Sequence, residues 1–262
     1  MLRINVVTIF PGFFTGPLSL SIPAKAAGVG SVSYRVVDLR DFTHDRHRTV
    51  DDYPFGGGPG MVMKPNPFFE AVEAIEARAP IVLLSPRGKR FGHTDAVRFA
   101  AGSELTLLCG HYKDVDERVA QHLATEELSL GDFVLSGGEP AALAIVDAVV
   151  RLLPGAMGDL ESARTDSFFD RGISAPSYTR PAEHRGASVP EVLLSGDHAR
   201  IAAWREAEGL ARTREAEARD RAAWQERESA IAIREAAMLA AERAQAEKAA
   251  RQARKRAKKG PA

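Results

Sequence analysis

Short apolar runs recur along the first part of the chain, each bounded by turn residues. Runs of four to eight apolar residues bounded in this way are typical of strands that are buried in a sheet. Five segments meet this description and are predicted to be strands: Ile4–Ile9, Val32–Val37, Ile81–Leu84, Leu105–Cys109 and Leu128–Leu135.

Segments with apolar residues at helical spacing lie between these runs. Phe68, Phe69, Val72 and Ile75 predict a helix that Pro80 stops, because proline removes a backbone donor. Strands that alternate with helices indicate βαβ units and a parallel sheet with both faces covered. We therefore expect an α/β fold. The other predicted helices are His93–Ala101, Val115–Leu123 and Glu139–Leu153.

The composition changes along the chain. Fourteen of the 15 prolines fall at or before Pro190, and from about Ala199 the sequence is mainly Ala, Glu and Arg, a helix-forming composition. We expect a main domain over residues 1–158, a linker over 159–172 and a small, mainly helical domain over 173–215. Residues 216–262 are expected to form a charged tail, helical or disordered.

Charge and cysteine content narrow the class of protein. The charges of the 35 basic and 35 acidic residues cancel, but residues 1–198 carry a net charge of −6 and residues 199–262 carry +6. Binding to a polyanionic partner therefore remains possible in spite of the zero net charge. A single cysteine, Cys109, excludes an intramolecular disulfide framework and a Cys-rich zinc site. No apolar run approaches the roughly 20 residues that a membrane helix needs. We expect a soluble cytoplasmic protein with no membrane partner.

Turn residues follow three successive predicted strands. Ligands of parallel α/β sheets bind outside the carboxyl ends of the strands, so one pocket could use all three turns. The chain has no G-x-G-x-x-G string after its first strand and no P-loop string, which disfavours a nicotinamide enzyme and a P-loop NTPase. The three turns are Ser85–Gly88, Gly110–Tyr112 and Ser136–Glu139.

Two further segments carry candidate chemistry. Three consecutive glycines within Asp51–Met61, flanked by prolines and aromatic residues, predict a mobile loop over a substrate. A favourable interaction with the helix dipole is enough to explain an arginine at the position of Arg151, near a helix end. A helix cap or a turn is enough to explain Asp166. The roles of both residues therefore stay open at this point. His44 and His47 lack a third ligand at useful spacing, and we expect no protein metal site.

Seven strings of the sequence occur in a distinctive order: Val50–Met61, Leu84–Gly88, Cys109–Tyr112, Leu130–Glu139, Asp166–Phe168, Tyr178–Pro181 and Val192–Gly196. Together they resemble the bacterial tRNA (guanine-N1)-methyltransferases, a family of the knotted, SPOUT-class methyltransferases. The resemblance covers roughly residues 1–212. It implies a parallel α/β domain with a deep C-terminal trefoil knot, which is an exception to the rule against threaded connections.

The resemblance also implies an activity and its partners. It implies transfer of a methyl group from S-adenosylmethionine to N1 of the guanosine immediately 3′ of the anticodon of a tRNA. It further implies a homodimer in which each site is completed by the partner subunit, with Mg²⁺ supporting turnover and no DNA partner.

Site residues follow from the same resemblance. Asp166 would be the general base and Arg151 its electrostatic partner. Asp51, Gly57, Gly58, Tyr178 and Arg180 would contact the substrate, with Arg185 and the helix after Ala199 as further phosphate contacts. The implied cofactor-binding residues are Leu84, Ser85, Pro86, Gly88, Gly110, Tyr112, Leu130, Gly131, Asp132, Phe133, Val134, Leu135, Ser136, Gly137 and Gly138.

The sequence also departs from the family pattern. Lys113-Asp114 stands where the family usually has Glu-Gly, Ser174 stands where an acidic residue is common, and the resemblance ends at about Thr213. The basic end of the tail is either a solvated helix or an arm that attracts RNA. Two alternatives remain: a knotted methyltransferase that modifies a ribose 2′-hydroxyl, and a catalytically silent RNA-binding protein.

Overall fold

The computed structural model describes residues 1–157, 165–169 and 172–221. The chain divides into two compact units, Met1–Phe169 and Asp170–Ala262. Most of the tail predicted over 216–262, and part of the linker predicted over 159–172, lie outside the described residues.

A five-stranded parallel sheet forms the centre of the first unit, with strand order β2-β1-β6-β5-β8. A second, three-stranded ladder pairs β3 with β4 and β4 with β7. The strands are β1 (Leu2–Thr8), β2 (Val32–Asp38), β3 (Asp51–Asp52), β4 (Val62–Met63), β5 (Ile81–Arg90), β6 (Glu104–Cys109), β7 (Asp114–Val115) and β8 (Glu126–Ser129).

Helices cover both faces of the main sheet, because residues that alternate along each strand supply two separate apolar surfaces. The helices of this unit are α1 (Gly12–Leu18), α2 (Ser21–Gly28), α3 (Pro65–Ala74), α4 (His93–Ala100), α5 (Glu117–His122) and α6 (Glu139–Val150), with a 3₁₀ turn at Leu39–Phe42. The predicted α/β fold with a parallel sheet is confirmed.

One core packs the central strands against α1, α2, α4 and α6. Leu105, Leu107 and Cys109 of β6 face this core, and Val146 of α6 is buried in it. The other core packs against α3 and α5, and it receives Leu108 from the same strand. β6 is therefore buried on both faces, which explains why four of its six residues are apolar.

Three predicted elements are wrong in type or extent. The strand predicted over Leu128–Leu135 is Glu126–Ser129, and the chain beyond it is a loop. The strand predicted to end at Leu84 continues to Arg90, since it pairs twice with β8 around a bulge. The helix predicted from Val115 begins at Glu117, because Val115 pairs with Met63 of β4.

Two predicted helix ends are also corrected. The helix after Pro65 ends at Ala74, well before Pro80, and Glu76 beyond it has a left-handed φ of 50°. The long apolar helix ends at Val150 and not at Leu153.

The second unit is small and mainly helical where it is described. A hairpin joins β9 (Glu183–His184) to β10 (Ala187–Ser188), and it is followed by α7 (Glu191–Leu194) and a helix over residues 198–221. The extended segment before the hairpin packs on the long helix. The amide of Ile173 donates to Thr213 Oγ1 at 2.8 Å, and the rings of Tyr178 and Trp204 lie 6.4 Å apart.

Within the described residues, no helix combines the length and the apolar character needed to cross a bilayer.

Candidate active site

A pocket lies in the first unit at the carboxyl ends of β6 and β8 and at the bulge of β5. It is open on one side and encloses about 700 Å³ of empty space, counting the part that is open to solvent. Its three walls are Leu83–Pro86, Gly110–Val115 and Leu128–Gly138, and Ala141 of α6 closes it. All three predicted turns contribute residues to this one pocket, as expected, although the first of them is an excursion within β5 and not a strand end.

The first wall is an excursion within β5. Leu84 and Lys89 both pair with Leu128 of β8, so the four residues between them leave the ladder. Ser85 and Pro86 of this excursion line the pocket. Ser85 Oγ accepts from the amide of Arg87 at 3.2 Å, which tightens the turn.

The second wall connects β6 to the three-stranded ladder. The amide of His111 donates to Met63 Sδ at 3.0 Å, and the amide of Lys113 donates to the carbonyl of Met61 at 3.1 Å. Tyr112 between them has a left-handed φ of 61°. A tyrosine rarely adopts this conformation, so the wall is held in place by contacts on both sides of it.

The third wall is the loop between β8 and α6, and it lies against the second. His111 and Gly137 form an isolated antiparallel bridge, and the amide of Gly138 donates to the carbonyl of Gly110 at 2.8 Å. A Cβ atom at Gly138 would lie 2.8 Å from Cys109 Cα, which glycine alone avoids. Glycine here allows the two walls to touch.

The rim of the third wall is apolar and exposed. Phe133, Val134 and Leu135 have 55%, 81% and 39% of their surfaces exposed, although all three line the pocket. Exposed apolar side chains at the mouth of a pocket are typical of a ligand or partner surface.

Thirteen of the fifteen residues predicted to bind a cofactor line this pocket. The exceptions are Gly88 and Asp132. Gly88 crosses the backbone of β8, where a Cβ would lie 2.4 Å from the amide nitrogen of Leu128. Asp132 Oδ2 accepts from Arg90 Nη2 at 2.8 Å. The thirteen are Leu84, Ser85, Pro86, Gly110, Tyr112, Leu130, Gly131, Phe133, Val134, Leu135, Ser136, Gly137 and Gly138.

The two predicted catalytic residues are brought together. Arg151, which caps the end of α6, donates through Nη2 to Asp166 Oδ2 in an ion pair. Both side chains are partly exposed, with 34% and 43% of their surfaces accessible. Phe168, two residues further on, has a left-handed φ of 71°. Left-handed backbone at a bulky residue costs about 1–3 kcal/mol and often marks a functional turn.

The predicted substrate residues fall in both units. Asp51 pairs with Met63 in the small ladder, and Gly57 and Gly58 lie in the exposed loop between β3 and β4, with φ values of 76° and 114°. Positive φ explains why that loop is rich in glycine. Tyr178 and Arg180 belong to the second unit, where Tyr178 is half-exposed beside Trp204.

Sequence reasoning missed several lining residues. It treated His111 as a turn residue and Lys113-Asp114 only as a departure from a pattern, yet all three line the pocket. The available signal was their position directly after β6. In the described part of the chain, no group of three or more His, Cys, Asp or Glu side chains is arranged to hold a metal ion.

Comparison with known proteins gives a consistent result. The family model described as tRNA (Guanine-1)-methyltransferase TrmD matches residues 2–220. A tRNA (guanine-N(1)-)-methyltransferase of Geobacillus kaustophilus is 52% identical over 215 residues, which cover 81% of this chain and 88% of that protein. The protein of the same name from Gloeobacter violaceus is 53% identical over 217 residues, covering 82% and 96%. The chain therefore belongs to the tRNA (guanine-N1)-methyltransferase family.

Proposed function

We propose that this protein transfers a methyl group from S-adenosylmethionine to N1 of the guanosine immediately 3′ of the anticodon in tRNA. The observation that carries the proposal is the Arg151–Asp166 ion pair, which lies in the same folded unit as the glycine-walled pocket. Family membership supports the reaction class, since the relatives are named for methylation of tRNA guanine.

The pocket fits S-adenosylmethionine. Three loops at one edge of the sheet line it, and its apolar side chains exclude water from a sulfonium. Gly137 and Gly138 leave the backbone of the third wall bare, where a Cβ would collide with His111 or Cys109. Backbone amides and carbonyls can therefore approach an adenine ring. When bound, the cofactor supplies a methyl group on a positively charged sulfur.

Asp166 is proposed to accept the N1 proton of guanine. The N1 lone pair is not available for methylation until this proton leaves, so a carboxylate within hydrogen-bond reach contributes about 10²–10⁴-fold to the rate. As the proton leaves, negative charge develops toward O6 of the base. The guanidinium of Arg151, already paired with Asp166, is suited to stabilise that charge.

The target base must leave the anticodon stack to reach such a site. We propose that the loop containing Gly57 and Gly58, together with Asp51, covers the extruded guanosine. Tyr178 supplies an exposed ring and Arg180 a cation on the second unit, which suit stacking and phosphate contact. These contacts position the tRNA and do not themselves read its sequence.

We also propose that the chain forms a trefoil knot, that two copies form a homodimer and that the protein works in the cytoplasm. The close approach of residues 137–138 to residues 109–111 supports a threaded connection between the second and third walls. The exposed apolar rim supports a homodimer in which the partner subunit completes each site. A protein that modifies tRNA is expected to work in the cytoplasm. Mg²⁺ is proposed to support turnover, as the resemblance to the family implies.

Methyl transfer to a tRNA transcript, with the modified nucleoside identified by mass spectrometry, tests this function. N1-methylguanosine is the expected product. A methylated ribose would favour the 2′-hydroxyl alternative, and binding of tRNA without transfer would favour the silent RNA-binding alternative.

The Asp166→Asn variant tests the mechanism. It retains a hydrogen-bonding side chain beside Arg151 but cannot take up the proton, so its rate should fall about 10²–10⁴-fold with cofactor affinity unchanged. Its residual rate should rise with pH as N1 ionises in solution. Asp41→Asn, which removes an exposed ion pair with Arg48, is the control and should retain activity. Full activity of Asp166→Asn would refute the role of Asp166.

A further inference from the structure

One pair of opposite charges stands out among the residues that line the pocket. The walls are otherwise built from apolar residues, glycine, serine, His111 and Tyr112, whereas Lys113 is a cation and Asp114 an anion. The two are adjacent in the chain.

Lys113 is held at its base and free at its end. Its amide bonds to the carbonyl of Met61, and its aliphatic stem lies beside Gly60, where a Cβ would meet Lys113 Cβ at 3.1 Å. In the described part of the chain, Lys113 makes no ion pair. The glycine loop therefore fixes the stem and leaves the ammonium available to an anion at the pocket.

Asp114 belongs to a group of carboxylates that share one cation. Arg87 donates to Glu117 at 2.8 Å and lies farther from Asp114 and Glu127, at 3.9 and 3.8 Å. Asp114 Oδ1 also accepts from the amide of Val115 at 2.9 Å. One guanidinium thus faces three carboxylates, and negative charge is in excess on the Asp114 side of the wall. A cationic group would be attracted there.

We propose that Lys113 and Asp114 bind the zwitterionic amino acid end of S-adenosylmethionine, Lys113 its carboxylate and Asp114 its ammonium group. The inference rests on the proposed function, because it takes the pocket to be the cofactor site. A zwitterion that enters a largely apolar pocket must exchange its hydration for protein charges of the opposite sign. Both residues line the same pocket, and both belong to one short segment that is tied to Met61 and β4 by the amide hydrogen bond of Lys113 and by the pairing of Asp114 with Val62.

Binding of two nucleosides by calorimetry tests the assignment of Lys113. S-adenosylhomocysteine has the amino acid end and does not react, whereas 5′-methylthioadenosine has the same nucleoside and sulfur without that end. The Lys113→Met variant keeps the stem beside Gly60 and removes the charge. It should bind S-adenosylhomocysteine about 10- to 100-fold more weakly and methylthioadenosine with unchanged affinity.

The same pair of probes tests Asp114. The Asp114→Asn variant should also bind S-adenosylhomocysteine selectively more weakly, because it no longer attracts the ammonium group. Lys25→Met, which removes an exposed lysine of α2 that does not line the pocket, is the matched control and should bind both probes as the unaltered protein does.

Three results would overturn the inference. Lys113→Met could bind S-adenosylhomocysteine with unchanged affinity, or it could lose affinity equally for both probes, which would indicate a change in pocket shape. It could also raise the KM for tRNA alone, which would assign Lys113 to an RNA phosphate. An unaltered protein that binds neither probe and methylates no tRNA would overturn the proposed function as well, so the two failures are distinguishable.

Discussion

Gly138 joins two walls of the pocket, and replacing it with alanine should force them apart. Its amide donates to the carbonyl of Gly110, and its own carbonyl accepts from Ala142 in the first turn of α6. Its φ and ψ are −77° and −11°, which alanine adopts without strain. The substitution therefore adds no backbone strain to the folded state, where its effect is on packing.

The size of the effect follows from the distances. The added Cβ would lie 2.8 Å from Cys109 Cα and 3.2 Å from the amide nitrogen of Gly110, against about 3.5–4.0 Å for carbon atoms in contact. Both neighbours are backbone atoms and cannot rotate away. Overpacking of this kind costs about 1–3 kcal/mol. A domain of this size loses about 2–4 °C in Tm per kcal/mol, so we expect a loss of about 2–12 °C.

Calorimetric unfolding and cofactor titration measure the two consequences. Gly138→Ala should lower Tm and weaken binding of S-adenosylhomocysteine about tenfold or more, because the third wall moves away from the second. Gly28→Ala is the matched control: Gly28 is the last residue of α2, its added Cβ would meet no atom within 4 Å, and the substitution should be neutral or slightly stabilising. A Gly138→Ala protein with unchanged Tm and affinity would refute the close contact of the two walls.

Two further predictions concern the core and the tail. Burial, with a smaller contribution from the charge of Glu139, raises the pKa of the Cys109 thiol well above its usual range. A chromogenic disulfide reagent should therefore react with Cys109 only after the protein unfolds. Rapid reaction of the native protein would contradict this. Residues 251–262 carry six Lys and Arg and no Asp or Glu. Deleting them should reduce the steepness of a plot of log affinity for tRNA against log salt concentration by up to about five. An unchanged slope would count against an RNA-attracting arm.

The buried strands could be predicted from the sequence because a strand that is buried on both faces is apolar along most of its length. Leu105, Leu107 and Leu108 of β6 are all fully buried although they face two different cores, and Thr106 is the one polar residue among them. The helix Glu139–Val150 was likewise evident from its length and its proline in the first turn.

The third wall could not be predicted as a loop, because its pocket-facing residues are apolar like those of a buried strand. Phe133, Val134 and Leu135 continue the apolar run of β8, and periodicity alone does not distinguish apolar residues that face a pocket from apolar residues that face a core. The double pairing of Leu84 and Lys89 with Leu128 was also inaccessible, since it depends on contacts about 40 residues apart in the chain.

The second wall is preorganised, and this determines where the affinity for a cofactor comes from. Tyr112 keeps a left-handed backbone that is sustained by bonds on either side, from His111 to Met63 and from Lys113 to Met61. A wall held in this way does not need to be ordered by its ligand, so binding loses little conformational entropy there. Affinity then depends on which side chains the wall presents. Because Lys113 sits on this rigid segment, its backbone and the stem beside Gly60 are held while its ammonium group can still reach a ligand, and exchanging that one side chain should alter ligand recognition without altering the fold.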